Sequence, residues 1–206
     1  MTSTLRFSTA PWYGTFKDIT IIGLGGVGNG LARILALNGH RLSIYDYDDV
    51  EEHNCIPQGY PRKYIGVSKY AACKSIIASF VENFSVDCHG KWDDSEYLRP
   101  IVIACPDNFD TRISAFQKWK RDSDRELFIS VGLTGDDYKI IVIKRGDEDL
   151  FDMPSDSVSD EPVVCTNRQS LYMAQAVQAK VAEIINKFII DPDLVENTYV
   201  HNGITG

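Results

Sequence analysis

The run Ile19-Thr20-Ile21-Ile22-Gly23-Leu24-Gly25-Gly26-Val27-Gly28 constrains this chain more than any other. Isoleucine-rich residues with little alternation suit a strand buried on both faces, so residues 18–23 are expected as a strand inside a parallel sheet. Gly23, Gly25 and Gly28 then fall in GxGxxG spacing. The first glycine permits a tight turn, the second lets backbone approach a phosphate, and the third lets helix pack on strand. A helix is expected over Val27 to Asn38, closed by Gly39, with its N-terminus adding partial positive charge for an anion. The competing reading is a glycine-rich turn kept for packing alone.

Strands and helices alternate beyond this point. Arg41 to Tyr45 reads as a second strand and Asp46 to Val67 as irregular chain with Pro57, Gly59, Pro61 and Gly66. A helix is expected over Ser68 to Asn83, with Ala71, Ala72, Ile76, Ile77 and Phe80 on one face. Phe84 to Cys88 and Ile101 to Ala104 read as strands, Asp107 to Lys120 as a helix. Leu127 to Val131 and Tyr138 to Ile143 read as an antiparallel pair across the tight connection Gly132 to Asp137. Gly146 to Val163 is acidic and serine-containing, a mobile surface loop, and a long helix is expected over Arg168 to Phe188. The fold class is therefore α/β, a doubly wound, Rossmann-like, mostly parallel sheet with an antiparallel extension. At 206 residues a single nucleotide-binding domain over residues 1–190 is expected, with residues 191–206 as a C-terminal tail.

Bulk composition narrows the function classes. The net charge is -8 with a pI near 5.0, which argues against nucleic acid as a partner. Five cysteines, with no CxxC pair, argue against a disulfide framework or a four-cysteine zinc site. Residues 1–10 lack the apolar stretch of a secretion signal, and no apolar run approaches the roughly 20 residues that span a bilayer. A cytoplasmic protein with reduced thiols and no membrane partner is expected.

Two acidic positions refine the nucleotide reading. Asp46 stands 18 residues after Gly28, at the end of the second strand, where dinucleotide folds place a ribose-binding carboxylate. Alone this suggests NAD. Asp48 follows two positions on, and Asp107 ends the strand Ile101 to Ala104. Carboxylates at the mouth of a phosphate site suit a metal-nucleotide better than a hydride carrier.

In order and spacing these residues resemble the ThiF/MoeB/HesA group of adenylyltransferases, of the ubiquitin-activating type. That family carries GxGGxG, D-x-D-x-V, N-L-x-R-Q, G-x-x-K and C-x-D-N in turn. Here stand Gly23-Leu24-Gly25-Gly26-Val27-Gly28, Asp46-Tyr47-Asp48, Asn54 with Gln58, Gly66-Val67-Ser68-Lys69 and Cys105-Pro106-Asp107-Asn108. The resemblance covers Asp18 to Arg112 well and the remainder loosely. It implies that Gly23, Gly25, Gly26 and Gly28 cradle ATP phosphates and that Asp46 holds the ribose. It implies nucleotide contacts for Asp48, Asn54, Gln58 and Asn108, charge neutralisation at the α-phosphate by Lys69, and Mg²⁺ on Asp107. The bland readings are an exposed helix lysine for Lys69, a solvated carboxylate for Asp48 and a helix cap for Asp107.

The implied activity is ATP-dependent adenylylation of the C-terminal carboxylate of a small ubiquitin-like or sulfur-carrier protein, by a homodimer. Pro162 to Thr166 resembles the stretch around the acyl-accepting thiol of eukaryotic relatives, which makes Cys165 a candidate nucleophile. Its alternative is a small residue packing the last helix. One departure stands out: Pro57 occupies the family's arginine position, which implies either a weakened enzyme or that Arg62 or Lys63 reaches in from the same loop. The two rival functions are a non-catalytic nucleotide- or carrier-binding module of the same fold, favoured by Pro57, and an NAD-dependent oxidoreductase.

Overall fold

A computed structural model describes residues 9–10, 14–135, 137–151 and 171–201. Seven strands form one sheet in the order β3-β2-β1-β4-β5-β6-β7. They are β1 (Asp18–Ile22), β2 (Arg41–Tyr45), β3 (Val86–His89), β4 (Ile101–Ala104), β5 (Leu127–Thr134), β6 (Asp137–Lys144) and β7 (Thr198–His201). Among the described residues the α-helices are α1 (Gly28–Leu37), α2 (Lys69–Ala78), α3 (Phe109–Arg121) and α4 (Leu171–Ile190), with short 3-10 turns between elements. The first five strands pair in parallel, and β5-β6 and β6-β7 pair antiparallel, so the expected α/β class with an antiparallel extension is what forms. Strand order reverses between β1 and β4, which opens a crevice beyond their carboxyl ends.

Each face of the sheet has its own core. Ile19, Ile21, Leu42, Ile44, Ile101 and Ile103 point to the face covered by α1, α2 and α4. Ile22, Tyr45, Val102, Ala104 and Phe128 point to the other, which receives Phe116 and Trp119 of α3. No helix connects β3 to β4, and the irregular segment 90–100 covers that side with Trp92 and Leu98. Thr20 and Ser43 are buried beneath it, and both are satisfied by Arg99. The Arg99 amide donates to Thr20 Oγ1 at 2.9 Å and its Nε to Ser43 Oγ at 3.0 Å.

Several expectations need correction. The helix expected to reach Asn83 stops at Ala78 because the amide and hydroxyl of Ser79 both bond the Ile76 carbonyl, at 3.1 and 2.6 Å, closing the last turn. Phe80, expected on the buried face, is 58% exposed, with the Arg33 guanidinium over its ring. The final helix runs two residues further than Phe188, to Ile190. The chain after Asp191 folds as a 3-10 turn and then β7, and Val195 sits in the main core. The Gly146–Val163 loop holds a 3-10 turn at Glu148–Leu150, and its part from residue 152 lies outside the described residues.

His40, at the foot of the sheet, is buried and accepts the Lys17 amide through Nδ1 at 3.1 Å. Its proton therefore sits on Nε2, which has no partner among the described residues. Burial, helped by the Lys17 charge, lowers its pKa from 6.5 to about 4. The unfolded chain then binds a proton that the fold refuses between these two values. The stabilisation is complete above about pH 6.5 and is lost as pH falls toward 4, amounting to about 3 kcal/mol. Urea unfolding of wild type and His40→Asn at pH 7 and pH 4.5 should show the variant losing less stability on acidification, by most of that amount.

Candidate functional site

A cavity of about 520 Å³ opens at the carboxyl ends of β1, β2 and β4. The sheet delivers three segments there side by side: the glycine loop after β1, Asp46 to Asp48 after β2, and Cys105 to Asn108 after β4. In the loop, Gly23 has φ +89°, and a Cβ there would stand 2.9 Å from the Cys105 and Pro106 backbone. A Cβ on Gly28 would stand 1.9 Å from the Gly23 carbonyl oxygen, so Gly28 serves helix-on-strand packing and does not line the cavity. Gly25 does line it, and a Cβ there would meet nothing within 4 Å. Helix α1 starts on this loop with Val27 as its cap residue, without a capping side chain and without an acid in its first turn. The Asn29 N–H is bonded to the Gly25 carbonyl at 3.2 Å, so the N–H groups left for a ligand are those that precede it in the loop and at Gly28.

Asp46 is bonded at both oxygens. Oδ2 accepts the Leu24 amide at 2.6 Å and Oδ1 the Asp48 amide at 2.8 Å. Burial raises its pKa, against the opposing pull of Lys69 and of these two N–H groups. A carboxylate has about four lone-pair sites, so acceptor capacity remains toward the cavity.

Lys69 is not an exposed helix lysine. Its side chain is 7% exposed, and Nζ donates to Asp48 Oδ2 at 2.7 Å. The backbone brings them together. Residues 50–67 leave and return, with Val50 and Val67 joined by an amide-to-carbonyl bond and the Lys69 amide donating to the Asp48 carbonyl at 2.8 Å. Asp107 lines the cavity and is exposed at its rim. Asn108, not Asp107, caps α3, its Oδ1 accepting the Thr111 amide at 2.8 Å.

Gln58 lines the cavity, and its Oε1 is buried without a partner among the described residues. Asn54 does not line it: its side chain is buried and accepts the Glu51 amide at 2.8 Å, shaping the loop. Neither Arg62 nor Lys63 lines the cavity in place of the missing arginine. Arg62 pairs with Glu52, and Lys63 lies 4.9 Å over the Tyr64 ring. The cations that do line the cavity are Lys69, Lys91 and Arg112, and Arg112 donates Nε to the Pro106 carbonyl at 3.0 Å. The Cys105 residue is half-buried, but its thiol is enclosed and burial pushes it up to about 12, so no thiolate forms there near neutrality. Cys165 lies outside the described residues.

Lys91, Trp92 and Arg112 escaped sequence reasoning. Arg112 carried a usable signal, four residues after Asn108 on one helix face. Lys91 and Trp92 belong to patternless chain and carried none.

With this geometry in view, the matching family model decides the classification: the description "ThiF family" fits residues 15–197. The chain belongs to the ThiF family. Among solved structures this ThiF-family chain is similar to PaaA, at 20% identity over 92% of this chain and 61% of that one, with a TM-score of 0.72. It is also similar to E. coli MccB in complex with MccA-N7isoASN, at 17% identity over 90% and 64%, with a TM-score of 0.72. A further structure of E. coli MccB, with AMPCPP and MccA, matches at 16% identity over 90% and 63%, with a TM-score of 0.67. These likenesses establish the shared fold, and the chain spans less than two thirds of the length of the structures it matches. No curated protein matches it. No described helix of this ThiF-family chain is long and apolar enough to cross a membrane.

The Lys69–Asp48 pair has a measurable consequence. Asp48→Asn removes the ion-pair partner of a buried ammonium, with Asp46 left nearby, and should lower stability by about 2 kcal/mol, below the cost at a fully buried pair because Asp48 is half exposed. Adding Lys69→Met should restore most of that loss in thermal or urea unfolding.

Proposed function

We propose that this chain binds ATP with Mg²⁺ and adenylylates the C-terminal carboxylate of a small ubiquitin-like or sulfur-carrier protein. The observation that carries this reading is the convergence of the glycine loop, Asp46, Lys69 and Asp107 on one cavity. E. coli MccB, solved with AMPCPP and with MccA, supports the pairing of an adenine nucleotide with a small polypeptide on this fold.

In the reaction a substrate carboxylate oxygen attacks the α-phosphorus, the bond to the bridging oxygen breaks, and pyrophosphate leaves. The protein's work is positioning and charge stabilisation. The free amides of the loop and of α1 take phosphate oxygens, and Asp46 takes ribose hydroxyls. Lys69, held at the cavity by Asp48, meets the charge that grows on the α-phosphoryl group.

The residues present fit a magnesium ion that arrives with its nucleotide. No cluster of three or more acidic, His or Cys side chains is assembled among the described residues, while Asp107 offers one exposed carboxylate at the rim. One carboxylate plus substrate phosphates is a common way for Mg²⁺ to be held. Bound there, the ion would offset phosphate charge. A homodimer and a cytoplasmic setting belong to the same proposal.

A second reading, a binding module without chemistry, is favoured by Pro57 standing in the arginine position. Exchange of labelled pyrophosphate into ATP, run with candidate carriers, separates the two. Adenylylation predicts carrier-dependent exchange that falls by about 100-fold or more in Lys69→Ala and Asp107→Ala. ATP binding without exchange on any carrier would favour the module, and preference for NADH over ATP in calorimetry would sink both.

A further inference from the structure

Two buried side chains grip the glycine loop from outside the cavity. Tyr60 Oη donates to the Leu24 carbonyl at 2.8 Å, and Gln178 Nε2 donates to the Gly26 carbonyl at 2.6 Å. They come from unrelated elements, Tyr60 from the irregular chain before α2 and Gln178 from the middle of α4. Both are buried, and neither lines the cavity. Burial holds the Tyr60 phenol in its protonated, donating form.

Gln178 is out of place as a packing residue. Its neighbours along the buried stripe of α4 are Ala174, Val177, Val181 and Ala182. An amide in such a stripe is costly unless bonded, and a leucine or methionine would fill the space. Helix α1 makes room for it: a Cβ on Gly30 would stand 2.1 to 2.4 Å from the Gln178 amide group.

The two contacts control direction. The peptide groups of the described loop are trans. A trans peptide plane places its carbonyl and the following N–H on opposite edges. Anchoring the Leu24 oxygen on Tyr60 aims the Gly25 N–H the other way. Anchoring the Gly26 oxygen on Gln178 does the same for the Val27 N–H. Gly25, Gly26 and Val27 all line the cavity, and the Gly25 amide donates to no other described group. Glycine peptides turn over at little steric cost, so such planes need an anchor. A reversed plane would present a carbonyl to an anion.

We propose that Tyr60 and Gln178 are positioning residues that fix the Gly25 and Val27 amides toward the cavity and so set its affinity for a phosphate chain, as distinct from a nucleoside. The proposal rests on the nucleotide reading above for its ligand, and on the loop alone for its geometry.

Calorimetry with ATP, tripolyphosphate and adenosine, on wild type, Tyr60→Phe, Gln178→Met and Gly30→Ala, tests it, with thermal unfolding run beside it. Each substitution should weaken ATP and tripolyphosphate by about tenfold and leave adenosine within about twofold. Unchanged ATP affinity, or an equal loss for all three ligands, would overturn the proposal while leaving the nucleotide reading in place. A wild type that binds tripolyphosphate but not ATP, with the same losses in the variants, would uphold the amide alignment and reject the nucleotide. Wild type binding none of the three rejects both. If Gln178→Met does not fold, Tyr60→Phe decides alone, since it removes a single oxygen.

Discussion

The carboxylate of Asp46 fastens the turn after one strand to the chain leaving its neighbour. Leu24 and Asp48 both give it their amide protons. Hydrogen bonds to a charged partner are each worth about 1.5–3 kcal/mol net, which is large against the flexibility of the four nearby glycines. Through Asp48 the order passes on: that residue's side chain holds Lys69, and its carbonyl receives the Lys69 amide. One acid thus sets the relative placement of loop, acidic segment and cation. Without it the sheet would still bring these three together, but not in a fixed arrangement.

The parallel pairing of β1, β2 and β4 explains why the cavity is where it is. Parallel strands end at the same side, so each contributes a loop to one rim. The change of direction between β1 and β4 keeps the following helices on opposite faces and prevents them from closing that rim. Helix α1 enters without a capping side chain, while α3 enters with Asn108 satisfying its own first turn. The two helix starts at the cavity are consequently unequal, and the anion-seeking one is α1.

Periodicity and turn chemistry made the skeleton legible. Arg41–Tyr45 and Ile101–Ala104 stand where the hydrophobic runs place them, because central strands buried on both faces leave an unambiguous signature. The short β7 was not legible, since Thr198–His201 is an edge strand whose pairing depends on β6 and not on its own sequence. The overrun of α2 has a similar origin: Ser79 and the need to feed β3 outweigh the helical pattern that continues past it. At the site, strand-end positions pointed to Asp46 and Asp107 and the family resemblance to Lys69, and all three line one cavity. Neither revealed that Asn54 faces inward to the Glu51 amide, or that Lys69 is buried on Asp48. Contacts of that sort depend on how the 50–67 excursion closes, which no local pattern encodes.

The missing helix between β3 and β4 divides the cavity into two kinds of wall. Around the glycine loop the wall is made by strand ends and a helix start, all anchored in the main buried core. Around Lys91 and Trp92 it is made by a strap of chain with no ladder or helix of its own. Within the strap Trp92 and Leu98 are buried and Arg99 satisfies Thr20 and Ser43, while Lys91 and residues 93–95 are exposed; a side chain at Gly23 would collide with Cys105. The pocket therefore has a few tolerant positions on its strap side and almost none on its loop side, so new side chains can enter it from one direction only.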